Sequence, residues 1–455
     1  MDGTPKNNLD SSVQDDAATP SRTALAYGWF SRILPLSFFD SLRRDLEIVE
    51  NRGIFTLQVT VWMMLMQRLS AHGTLDSALT QLLGGNGREL LEQCKRVRED
   101  NISANTGGYS KARQKMPEKA ARRIAQRSFE QLHQIQSGSA LRNRLFVLDG
   151  SSIRLPNTPA NVKAYPPAEN QQGPTHWPVM RVGVMHHVTT ALAMPPQFGP
   201  MYGSKAVSEQ ELAEPLIDQL PPESVLIGDR NFGVFSVTWH AHSRGHRVLV
   251  RLTEPRARRL MGGELSAGDH KVVWEPTRED RRSHPDLPAD ARIEGRLIVT
   301  RLAHMEEDLY LFTTLTEPAE EVVALYRERW NIETDLLSIK DEVRLHTIEA
   351  KSPKMVACEL LLAIASYNLI RAVMTEAARQ INVEPRDLSF ARSRSAFWAF
   401  ARAVAHTDSE AEFERQWKLL IRIIGQSKLY RRKRPTAPRE VWPKRQNFPN
   451  RKVRK

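Results

Sequence analysis

Cysteine is almost missing from this chain: 455 residues contain two, Cys94 and Cys358. That excludes a disulfide-built scaffold and a Cys-rich zinc module, and it suits a reducing cytoplasm. No long apolar run is free of polar residues. The longest, Val356 to Met374, contains Glu359, Asn368 and Arg371. A bilayer needs about 20 mostly apolar residues, so this run reads as a buried core helix. The first 21 residues are polar and acidic and lack the basic and apolar regions of a signal peptide. No repeat occurs at solenoid spacing, and no Gly-x4-Gly-Lys phosphate loop is present. These absences predict a soluble, cytoplasmic protein with no membrane partner and no small-molecule cofactor.

What is present is positive charge, and it is concentrated. The net charge is +12, and 41% of residues are hydrophobic. The length allows about two to four domains at ~150 residues each. Residues 426–455 hold twelve Lys/Arg against one acid, Glu440, so +11 of the +12 sits in this tail. The tail includes Arg431, Arg432, Lys433 and Arg434, with Tyr430, Trp442 and Phe448 interleaved. Four prolines argue against a helix. A solubilising tail is the plainer explanation of such a run. The concentration at one end and the interleaved aromatics favour contact with nucleic acid.

Residues 1–21 read as disordered. A helical pattern runs from about 22 to 137, with helices expected at 55–70 and at 73–85, the second ended by two glycines. The polar stretch after residue 100 carries Lys111 and Arg113. It is either a DNA contact or a solvated helix face. Strands follow at 145–156, 177–196, 223–233 and 246–252. A helix at 208–220 opens with a Ser208/Glu211 capping box, and another at 235–245 is stopped by Gly245. Residues 255–318 mix short strands with polar clusters. Helices return at 319–380 and continue more weakly over 381–425. This alternation predicts an α/β sheet with helical cover, interrupted by an insertion.

Two carboxylates occupy matching places. Asp149 ends the apolar strand LFVL, and Asp229 ends VLIG. Carboxyl ends of strands gather ligand-binding groups in α/β sheets, although a lone Asp there is usually a turn former. A third group lies in YRERWNIETDLLSIK. On a regular helix Tyr326, Arg329, Glu333 and Lys340 fall within an arc of about 60°, while Glu328, Asp335 and Glu342 face elsewhere. Three carboxylates from two strands and one helix suit Mg²⁺, a hard cation with oxygen ligands. Phosphodiester cleavage needs a water made nucleophilic and charge stabilised on two oxygens, which two such ions provide.

These motifs resemble those of bacterial insertion-sequence transposases of the DDE type, in the family that forms DNA hairpins at the element end. LDGSSIRLPNTPAN resembles the first-Asp motif, LIGDRNFG the second, and SYNLIRAVM the closing helix. Tyr326, Arg329, Glu333 and Lys340 fit the signature Tyr-x2-Arg-x3-Glu-x6-Lys. The resemblance spans about residues 25–450 and loses no triad position. It implies an α/β, ribonuclease H-like core at 138–254 and 319–380, with a β-rich insertion at 255–318. It further implies an N-terminal DNA-end-binding domain at 22–137, a helical C-terminal region at 381–425 and a basic tail. Asp149, Asp229 and Glu333 would bind two Mg²⁺ ions, with Mn²⁺ able to substitute. Tyr326, Arg329 and Lys340 would hold DNA near the scissile phosphate. Nicking, hairpin formation, hairpin opening and strand transfer would follow, in a homodimer that joins two transposon ends in the bacterial cytoplasm, at the nucleoid when on DNA.

Weaker candidates have plainer explanations. Trp274 could stack on a flipped base of a hairpin, but shares a strand face with Val272 and suits packing better. His240, His242 and His246 do not converge as metal ligands would. Arg251, Arg256, Arg258 and Arg259 fit either DNA contact or solvated surface. Two rival functions keep the fold: a catalytically silent DNA-binding repressor or domesticated copy, and a structure-specific nuclease. The intact carboxylate set disfavours the first. The Tyr-Arg-Glu-Lys stripe is not needed by the second.

Overall fold

A single mixed sheet organises the chain. The computed structural model describes residue 30 and residues 33–429, apart from 51–52, 71–72, 86, 88–89, 92–93, 95, 97–98, 100–101, 137–139, 172, 302–306 and 408. The expected disordered start and most of the basic tail, including Arg431, Arg432, Lys433 and Arg434, lie outside the described residues.

The strands are β1 (Leu145–Arg154), β2 (Pro167–Asn170), β3 (Gly173–His187), β4 (Gln197–Pro200), β5 (Val225–Gly228), β6 (Arg247–Arg251), β7 (Gly268–Trp274), β8 (Ile293–Thr300) and β9 (Leu309–Thr313). Their order is β2-β3-β1-β5-β6-β9-β8-β7, with β4 paired to β3. β1 runs antiparallel to β3 and parallel to β5, and β5 runs parallel to β6. Leu145 to Leu148 and Val225 to Gly228 are buried throughout. Such continuous burial is what a central, parallel pair of strands requires. The segment read as an insertion continues this sheet: β9 pairs antiparallel with β6, matching Val250 with Phe312.

Most helices start and stop where their caps direct. Thr56 Oγ1 accepts from Val59 N at 3.3 Å and opens Leu57–Leu69. Thr74 Oγ1 accepts from Ser77 N at 3.0 Å and opens Leu75–Leu83, which Gly84 ends. The expected Ser208/Glu211 box forms in both directions, at 3.1 Å and 2.6 Å. Phe235–Ser243 is followed by Gly245 at φ +81°, a left-handed residue that turns the chain into β6.

The apolar run becomes the helix Pro353–Gln380, long and apolar enough to cross a membrane but buried along that whole stretch. Its polar residues each have a partner inside the protein. Glu359 accepts from both Arg68 and Arg113. Asn368 exchanges two hydrogen bonds of 2.8 Å with the backbone of Ala193. Arg371 donates to Tyr367 Oη at 2.9 Å and to Asp335 at 3.2 Å. Pairing of this kind is what lets a core helix carry charge.

The helix that bears Glu333 is less regular than its sequence suggests. Ala319–Arg327 is α-helical, Glu328–Trp330 is a 3₁₀ turn, Asn331–Leu337 is α-helical again and Ser338–Glu342 is a π turn. A 3₁₀ turn advances about 120° per residue and a π turn less than an α-helix, so a uniform helical wheel does not describe this segment.

Candidate functional site

Strand register sets the site. Val147 pairs with Ile227 across β1 and β5, so two residues further on Asp149 lies level with Asp229. Gly228 pairs with Val250 across β5 and β6, which brings Arg251 to the same level. Neighbouring strands lie about 4.8 Å apart, so the two aspartates and the arginine form one row at the strand ends.

The turns after these strands fix the carboxylates. Asp149 Oδ1 accepts from Gly150 N at 2.8 Å, and Asp229 Oδ1 accepts from Asn231 N at 2.8 Å. Asp229 O also accepts from Gly233 N at 2.9 Å. A methyl group at Gly233 would overlap the carbonyl of Arg251, so the turn can pack against β6 only with glycine there. Arg256 Nη1 donates to Gly233 O at 3.2 Å, which makes it a clamp on this turn rather than a solvated surface residue.

Burial pushes the Asp149 carboxyl up to about 6. The charges of Asp229 and Glu209 add to the rise, while the Gly150 N–H and Arg329 oppose it. Like-charge carboxylates in a partly desolvated place are what a bound cation relieves. With oxygen donors only, the set suits a hard ion such as Mg²⁺.

Arg329 connects the third carboxylate to the pair. Its Nη2 lies 3.5 Å from Glu333 Oε1, and its charge acts on Asp149. Tyr326 hydrogen-bonds Arg329 and feels Arg251 and Asp229; burial pushes its phenol up to about 12. Its ring is only 7% exposed, so its hydroxyl rather than its face serves the site. Glu333 is 57% exposed at its side chain. Among the described residues no three His, Cys, Asp or Glu side chains are gathered closely enough to hold a metal ion. The structure thus brings Asp149 and Asp229 together and holds Glu333 one guanidinium away. Lys340 is half-buried, in the π turn beyond.

Asp335 explains why Glu333 faces the strands. It is fully buried, with Arg386 Nη1 at 2.8 Å from Oδ1 and Nη2 at 2.9 Å from Oδ2. Arg371 lies at 3.2 Å and His186 Nδ1 at 3.5 Å. Burial alone would raise its carboxyl, but Arg386 with His186 and Arg371 holds it below the usual range. Two residues along a helix turn about 200°, so anchoring Asp335 inward turns Glu333 outward to the sheet end.

Two candidate DNA contacts are corrected. Trp274 is 6% exposed and packs edge-on against Phe312, centroids 4.8 Å apart, and against Phe235 at 5.9 Å. It is a core residue with covered faces, not a platform for a flipped base. Arg113 ion-pairs with buried Glu359, its side chain 11% exposed, so its charge is spent inside the protein. Lys111 is exposed.

Glu209 escapes sequence reasoning. It lies over Gly150 and bonds Asn231, which only the return of the chain from β3 to the sheet end reveals. Arg251 is singled out from the arginines that follow it only by the register of β5 and β6.

Residues 141–369 match the family described as Transposase DDE domain. The chain is similar to the transposase InsG for insertion sequence element IS4 of Escherichia coli (strain K12), 27% identical over 294 residues. That match covers 62% of this chain and 64% of the relative, so it spans less than two thirds of the relative's length. Among solved structures, the cryo-EM structure of a piggyBac transposase synaptic complex with hairpin DNA aligns at TM-score 0.39 and 10% identity. That alignment covers 89% of this chain and 84% of the other.

Proposed function

The chain belongs to the transposase DDE domain family, and from that membership we propose that it is a metal-dependent DNA transposase that binds the terminal repeats of an insertion sequence. The observation that carries this is the in-register placement of Asp149 and Asp229 at adjacent strand ends, with the Glu333 helix turned toward them by Asp335. The strand order β4-β3-β1-β5-β6, with only β3 reversed relative to β1, β5 and β6, supports a ribonuclease H-like core over 138–254 and 319–380. Residues 22–137 are proposed to grip the DNA end, 381–425 to support dimer formation, and the basic tail to track phosphates. The working form is a homodimer on two transposon ends.

Asp149, Asp229 and Glu333 would hold two Mg²⁺ ions. When bound, these ions supply charge stabilisation on the attacking and leaving oxygens and a more acidic water. The chain's own residues do the rest. Asp149 and Asp229 are fixed by their turns, so they need little reorganisation. Glu333 is held by an exposed pair to Arg329, which is easily exchanged. Arg329 and Arg251 present guanidinium groups suited to phosphate oxygens, and Lys340 adds a point charge further along. The Tyr326 hydroxyl orients Arg329. The sequence of nicking, hairpin formation, opening and strand transfer follows from the family resemblance of the Tyr-Arg-Glu-Lys signature.

The test uses the gene's own flanking DNA on a supercoiled plasmid. Purified protein is added with Mg²⁺ and new 3′-hydroxyl ends are mapped, with Asp229→Asn as control. Discrete Asp229-dependent ends beside the gene are expected. Binding without metal-dependent ends would instead favour a silent DNA-binding copy.

A further inference from the structure

The first turn of the helix Glu209–Ile217 is already satisfied without Glu209. Ser208 and Glu211 complete the capping box between them. Glu209, half-buried at the first helical position, sends its carboxylate elsewhere. Its Oε2 accepts from Asn231 Nδ2 at 2.6 Å. Asn231 N in turn donates to Asp229 Oδ1 at 2.8 Å. The next helical residue, Gln210, grips the same loop, its Nε2 donating to Asn231 O at 2.9 Å.

On its other side the Glu209 carboxyl group fills the space above Gly150. A methyl group built on Gly150 would overlap it. Gly150 directly follows Asp149, so one carboxylate touches the turn of each strand-end aspartate. Its place at a helix N-terminus keeps it ionised, because the unpaired N–H groups there favour negative charge. An ionised carboxylate over two aspartates adds repulsion unless a cation is shared among them.

We infer that Glu209 is a fourth acidic member of the divalent-metal site, delivered by the helix after β4 and clamped in place by Asn231. The inference rests on the proposal that Asp149 and Asp229 bind divalent metal. It gives Gly150 a reason: the position must lack a side chain so that Glu209 can approach.

The experiment titrates Mn²⁺ into the full-length protein and follows free Mn²⁺ by electron paramagnetic resonance, with thermal unfolding of each variant in parallel. Glu209→Gln keeps an oxygen acceptor for Asn231 but removes the charge. It is expected to weaken Mn²⁺ binding about tenfold or more with little change in Tm. Gly150→Ala displaces the intact Glu209 and is expected to weaken binding in the same direction. Wild-type affinity in Glu209→Gln, alongside lost binding in Asp229→Asn, would overturn the role of Glu209 and leave the aspartate site standing. Wild-type affinity in Asp229→Asn, or no binding by the wild type, would remove the metal site itself and this inference with it.

Discussion

The guanidinium of Arg329 stands 3.5 Å from the carboxylate of Glu333, one helical turn further along the same face. Glu333 is largely exposed, and such pairs contribute only about 0–1 kcal/mol. Glu333→Gln should therefore leave stability within about 1 kcal/mol of wild type. Cleavage should fall by at least about 10²–10³-fold, the scale of losing one charged group at a reacting centre. DNA-end binding by gel shift should persist. Retained cleavage would take Glu333 out of the site.

Asp335 makes the opposite prediction. It is fully buried and shared by Arg386, Arg371 and His186. Asp335→Ala leaves two buried guanidinium groups without their carboxylate, at a cost of about 3–5 kcal/mol. Urea unfolding should show this directly. An unchanged midpoint would mean that the network does not anchor the helix.

The two buried histidines at the end of β3 set a pH dependence. Burial lowers His187 to about 3 and His186 to about 4. His187 donates from Nε2 to Asn143 O at 2.9 Å, and its Nδ1 accepts from Thr190 Oγ1 at 2.7 Å, a pattern that assigns the neutral ring. Below pH 6.5 the unfolded chain takes up protons that the folded chain refuses until far lower pH. Stability is full above that point and falls as pH drops, by about 1.4 kcal/mol per unit for each histidine. Asp149, raised to about 6, works in the opposite sense between about pH 4 and 6. Comparing wild type with His187→Gln isolates the histidine share: unfolding free energies measured from pH 7.5 to 5 should show a shallower decline in the variant.

Trp274 separates packing from chemistry. Trp274→Ala should cost about 3–5 kcal/mol, as removal of a buried aromatic does. At a temperature where the variant is folded, its hairpin yield per active molecule should match wild type. A specific loss of hairpins in the milder Trp274→Phe would restore a role on DNA.

The basic tail can be cut at a defined place. Ser389 N donates to Ser427 O at 2.8 Å, Leu388 bridges to Lys428, and Leu429 N donates to Asp387 O at 2.7 Å. A truncation after Leu429 keeps these bonds and removes eleven of the tail's twelve Lys/Arg. DNA affinity should fall, and the slope of log affinity against log salt should flatten by ~0.9 for each phosphate that the tail neutralises in the full chain. An unchanged slope would make the tail a bystander.

Local signals are legible in the sequence wherever one residue decides the outcome. Thr56, Thr74 and Ser208 cap helices as their types direct, and Asp149 and Asp229 sit at the ends of buried strands. A wheel drawn through Tyr326, Arg329 and Glu333 keeps these three together, but it treats 319–345 as uniform. The 3₁₀ and π turns within it come from tertiary demands such as the burial of Asp335. Trp274 shows the converse: its packing alternative is readable from Val272, and the facing rings of Phe312 and Phe235 decide it. Arg113 and Glu209 need partners 246 and 22 residues away along the chain, a distance no local pattern spans.

The buried helix Pro353–Gln380 has a bearing on how the protein is made. It packs against Leu57–Leu69 and Glu118–Gln136, which are synthesised before it, and against Phe390–Ala403 and Glu410–Gln426, which are synthesised after it. One flank can be covered as the helix leaves the ribosome, while the other stays bare until the last helix follows. A chain interrupted between these two moments displays an apolar surface long enough to be mistaken for a membrane segment. Quality-control proteases and insertion machinery would meet that surface on every prematurely terminated copy.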